Sequence, residues 1–106
     1  MTPNVFAGVV SALARVTMIA ERLLDGDAEG HVRRSIEEFA MTFARREAIG
    51  PAIARMRQSI VMLHDSRDAG SRRAFERDKS LIDDLDTAIE RQLLPELRRL
   101  GFELSV

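Results

Sequence analysis

Near its start the chain carries Phe6, Val9, Val10, Leu13, Val16, Ile19, Ala20, Leu23 and Leu24 at spacings dominated by three and four residues, the period of one helix face. Val5, Ala12 and Met18 widen this stripe around the side. A helix with so broad an apolar surface needs more than one neighbour, which predicts a central place in a bundle or a subunit interface. The same period runs on through Val32, Ile36, Phe39 and Phe43, then Ile49, Ile53, Met56, Ile60 and Leu63, then Phe75, Ile82, Leu85, Ile89 and Leu93. No segment alternates with the period of two that marks a half-buried strand.

Glycines, prolines and capping residues divide this pattern into four helices. Thr2-Pro3 is suited to start the first, with Thr as N-cap and Pro at the first helical position. Gly26 and Asp27 predict its end, after Leu24, and the cap of the next. Gly50-Pro51 predicts the boundary between the second and third helices, and Gly70-Ser71 the boundary before the fourth. Ser80 and Asp83 form a potential capping box if the fourth helix breaks near Lys79. Pro95 disfavours α geometry at Leu94 and removes a backbone donor, so the last helix should kink or restart there. Gly101 stands where a left-handed cap belongs, with Phe102 placed to fold back on Leu97. The connections are short, and residues 1–106 read as one all-α domain, an antiparallel up-down four-helix bundle.

A chain of 106 residues buries roughly two-thirds of its unfolded surface. That modest core and the width of the first stripe predict a homo-oligomer, with Val5, Val9, Ala12, Val16 and Ile19 at the self-interface. Cysteine is absent, which excludes disulfides, thiolate metal sites and cysteine nucleophiles. The first charged residue is Arg15, so no positive region precedes the apolar start as in a secretory leader. The run is also shorter than the ~20 residues that span a bilayer. A soluble cytoplasmic protein without membrane contact is expected. Fifteen of the sixteen cationic residues are Arg and thirteen residues are Ala, a bias that GC-rich bacterial coding produces.

Charge is distributed unevenly, with +3 over residues 31–63 and −3 over residues 80–106. In an antiparallel hairpin Arg45, Arg46, Arg55 and Arg57 would gather around Gly50-Pro51, where free N–H groups at a helix start also attract anions. These four are the candidate anion site. Against it, Arg45 and Arg46 already complement the negative end of the second helix, and Arg55 and Arg57 are two apart and cannot share one face. Asp83, Asp84, Asp86 and Glu90 form the densest acidic group, read as a solvated face that can pair with the basic middle of another helix.

The string Leu63-His64-Asp65 resembles the phosphoacceptor segment of sensor histidine kinases, which implies phosphoryl transfer at His64; here, however, the histidine closes a helix instead of lying well inside one. His31 and His64 have no second His or Cys one helical turn away, so no metal and no cofactor are predicted. The net charge of −1 and the lack of Trp and Tyr argue against nucleic acid as a partner. Phe6, Phe39, Phe43 and Phe75 are assigned to the core, leaving Phe102 nearest the surface. No residue set qualifies as catalytic. The functional expectation is a non-catalytic helical interaction module, an adaptor, chaperone-like protein or regulatory subunit. An anion or small-ligand sensor at the arginine cluster is the alternative, and a small bundle enzyme ranks third.

Overall fold

The computed structural model describes residues 6–24, 30–67 and 72–104; the side chains of His31, of residues 65–67 and 72–75 and of Arg77 lie outside that description. Outside it too fall the Thr2-Pro3 helix start, Val5, and the expected breaks at Gly26-Asp27 and Gly70-Ser71. The described elements are α1 (Ala7–Leu23), α2 (His31–Ala44), α3 (Ile49–Arg67), α4 (Arg72–Thr87), a π-helical segment (Ala88–Leu93) and α5 (Leu94–Arg99). No strand occurs among the described residues. The last three elements follow one another without interruption, so the described residues form an all-α bundle of four rods.

α1 lies against the π segment and α4, and it also touches α2 and α5; α2 pairs closely with α3. The wide stripe of α1 is therefore satisfied from two sides within one chain. Val9, Ala12, Val16 and Ile19, expected at a self-interface, are at most 3% exposed and form the innermost layer with Phe39, Met56, Leu85 and Leu93. Covering a residue such as Val16 or Leu93 contributes roughly 1.5–3 kcal/mol each. What remains outside on α1 is a different set, with Phe6, Val10 and Met18 exposed.

α3 and α4 run antiparallel, since Arg57 bonds Asp86 while His64, further along α3, bonds the earlier Asp78. Among the described residues their backbones approach less closely than those of α2 and α3. Side chains long enough to bridge the gap occupy that seam. α4 is continuous through Lys79, so Ser80 and Asp83 do not act as an internal capping box.

α2 stops at Ala44, five residues short of the boundary expected at Ile49, and Gly50-Pro51 lies inside the first turn of α3. Proline is compatible with a first turn, so Pro51 does not mark the break itself. Arg46 makes the break, adopting a left-handed φ of 53°. Its N–H bonds Phe43 O at 3.1 Å, and Glu47 N–H bonds Thr42 O at 3.2 Å. That pair of bonds is a Schellman closure, here with arginine where glycine is usual. Leucine-rich α5 closes in the same way at Gly101, φ 87°, with Gly101 N–H to Arg98 O and Phe102 N–H to Leu97 O, both 3.0 Å.

The restart expected at Pro95 is present and has a specific form. Leu94 donates to Ile89 O, five residues back, and the α register resumes only from Leu94. A proline in a regular helix clashes with the carbonyl four residues earlier. The wider π turn carries the chain past that clash while keeping Ala88, Ile89 and Leu93 buried. Gly101→Ala places a Cβ in the left-handed region and should destabilise the protein by about 1–2 kcal/mol. Urea unfolding followed by circular dichroism measures this, and an unchanged midpoint would contradict the cap.

Candidate functional site

The four arginines assigned to an anion site are placed on separate jobs. Arg55 Nε bonds Glu38 Oε1 at 2.8 Å, on the α2 side of α3. Arg57 grips Asp86 on the opposite side through Nε to Oδ1 and Nη2 to Oδ2, the latter at 3.0 Å. This hydrogen bond, with the Asp86 and Glu90 charges, holds the Arg57 guanidinium above its ordinary pKa, while partial burial acts the other way. A cation raised in this way contributes its full stabilisation below the unfolded-state pKa, so the pair is intact throughout the neutral range. Arg46 lies over the Phe102 ring at 4.7 Å and donates to Leu100 O at 3.3 Å. Arg45 is exposed at the end of α2.

The corner itself is a cleft of about 510 Å³ between the α2–α3 turn and the end of α5. Glu47 and Glu103 line it beside Arg46, so its carboxylates outnumber its cations. The Phe102 ring lines it and belongs to an aromatic cluster beneath. Phe43 stacks on Phe102 at 4.9 Å and on Phe39 at 6.2 Å, and receives Phe6 edge-on at 5.5 Å. Phe102, expected near the surface, is only 8% exposed, whereas Phe6, expected in the core, is 41% exposed. The Schellman closure accounts for Phe102, because it turns the ring back over Leu97.

Arg46 combines a strained backbone with a stacked side chain, and substitution separates the two. Arg46→Ala and Arg46→Gly both lose the stack and the bond to Leu100, but only glycine relieves the left-handed strain. The glycine variant should be more stable than the alanine variant by about 1 kcal/mol in urea unfolding.

At the other end of the bundle, His64 Nε2 and Asp78 Oδ2 meet at 2.8 Å, with the residues 2% and 4% exposed. Nε2 is thus engaged by Asp78 and covered, which is the reverse of the open position a phosphoacceptor needs. The pair acts as a polar clamp between α3 and α4. Its sequence signal is the helical period itself: Asp78 fills the inward position between Phe75 and Ile82, and His64 stands four after Ile60. His64→Leu and Asp78→Leu should each cost about 3 kcal/mol by stranding a buried polar partner, while the double variant should cost less than either. Additive losses in a double-mutant cycle would show that the two side chains do not stabilise one another.

Asp86 is committed to Arg57, while Asp83, Asp84 and Glu90 are exposed. Among the described residues no three acidic or histidine side chains converge as a metal site.

A second cleft, about 560 Å³, lies between α1 and the rod formed by the π segment and α5. Buried Ala12 and half-buried Gly8 keep its α1 wall low. A Cβ on Gly8 would come within 2.3 Å of Glu96 Cδ, so glycine is what lets the Glu96 side chain lie against α1. Arg99 then holds that carboxylate at 3.0 Å through Nε and 2.8 Å through Nη2. Arg15 from α1 and Arg91 from the π segment also line the cleft. Sequence reasoning passed over both, because they are seventy-six residues apart and only the folded chain places them in one cleft. No known protein-family model, curated protein or solved structure matches the chain. Among the described residues no helix is long and apolar enough to cross a membrane.

Proposed function

We propose that the protein is a non-catalytic helical interaction module that pairs with another helix through the outer face of α1, in the simplest case with a second copy of itself. The observation that carries this is the exposure of Val10 and Met18, 59% and 50%, on the side of α1 that faces away from its own core. Ala14 stands midway between them and is also exposed, so the three follow one another at spacings of four. Helices recognise one another through such rows of apolar anchors. Glu21 and Arg22 flank the row and would form a charged rim.

Self-pairing of this face is tested by light scattering coupled to gel filtration at several concentrations. The wild type should elute with a mass twice the 11.9 kDa of the chain, and Val10→Glu together with Met18→Glu should give a monomer with unchanged helicity. A wild type that stays monomeric at high concentration would overturn self-pairing. A dimer that survives both substitutions would move the interface elsewhere.

A further inference from the structure

The geometry points to the cleft between α1 and the π segment as a binding site for a small polyanion, a ligand with at least two carboxylate or phosphate groups. Arg15 and Arg91 enter this cleft from two different elements. Neither has a hydrogen bond or ion pair among the described residues, in contrast to Arg33, Arg46, Arg55, Arg57 and Arg99. Other arginines are also without partners on open surface; these two share a concavity. Two like charges held in one recess are most readily neutralised by an anion that reaches both, and the planar guanidinium matches carboxylate and phosphate oxygens.

The remaining charge in the cleft does not cancel them. Among the described residues Glu96 is the one acidic residue lining it, and its carboxylate is already bound by two donors of Arg99. Gly8 makes this arrangement possible, since any larger residue there would push Glu96 from its resting place. Ser11 and Gln92 add a neutral hydroxyl and amide to the lining. The π segment contributes directly: with Ala88, Ile89 and Leu93 buried, its turn leaves Arg91 and Gln92 both exposed beside α1. The volume, about 560 Å³, lies in the range of small-molecule sites.

Titration calorimetry on the full chain at low salt tests the site, with citrate as the carboxylate probe and pyrophosphate as the phosphate probe. One or both should bind with a stoichiometry of one. Arg15→Ala and Arg91→Ala should each weaken that binding about tenfold or more, the usual loss of a charge-assisted contact. Both residues are exposed and without partners among the described residues, so the melting temperature in the absence of anion should not change. Arg34→Ala, an exposed arginine of α2 outside the cleft, should bind as the wild type does. Preference for citrate or for pyrophosphate identifies which oxyanion the site is built for. No saturable binding of either probe at millimolar concentration overturns the inference. So does an Arg34→Ala variant that loses as much affinity as the other two, because the effect would then be general charge.

Discussion

The inner stripe of α1 must be covered on two sides, and the rest of the fold follows from that requirement. Val16 and Ala20 have no exposed surface, with the π segment and α4 against α1 on one flank and α2 in contact with it as well. α3 is held mainly by its pairing with α2. Hydrophobic burial thus sets the hierarchy, because each covered aliphatic side chain contributes roughly 1.5–3 kcal/mol while a partly exposed ion pair contributes about 1 kcal/mol or less. The polar pairs have a different role. Arg57 with Asp86 and His64 with Asp78 span the α3–α4 seam, where backbones are further apart, and both must be matched at once. A shift of either helix would strand a buried polar group or a half-buried charge, so these pairs fix register more than they add net stability.

The π segment is where the demands of covering α1 and accommodating Pro95 meet. A straight α-helix from Arg72 to Arg99 would set the proline ring against the carbonyl of Arg91. Ending the helix at Leu94 would leave Leu97 and Phe102 unable to complete the core. A single wide turn keeps the rod continuous, with Leu93 and Leu97 both fully buried. π turns inside α-helices often occur at functional positions, and this one borders the cleft that holds Arg91.

Element type was legible in the sequence because the apolar period is sustained, and Gly101 with Phe102 was legible because a cap motif joins backbone need to side-chain contact. The α2–α3 boundary was not. Gly50-Pro51 has the chemistry of a break, but the apolar period of α2 ends at Phe43, and Arg46 accepts the left-handed conformation in place of glycine. What makes that tolerable is tertiary: the Phe102 ring and the Leu100 carbonyl come from the far end of the chain. Phe102 left its expected place near the surface because the α5 cap turns it inward, over Leu97. The stripe on α1 was read correctly as too wide for one partner, yet width alone cannot say whether the second partner is another helix of the same chain.

The uneven charge of the sequence acquires a physical meaning once its partners are known. The basic middle of the chain suggested an anion site, but Arg55 is neutralised by Glu38 and Arg57 by Asp86, so part of the charge is balanced within the molecule. The acidic C-terminal stretch supplies one of those partners, as an acidic face opposite a basic helix should. Local excess in sequence therefore does not locate excess in space. Net positive charge in a recess survives instead at Arg15 and Arg91, each in a segment whose formal charge is negative. There Glu96 is turned against Gly8 and bound by Arg99, which leaves two guanidinium groups without a counter-charge among the described residues, in a cleft large enough to admit one.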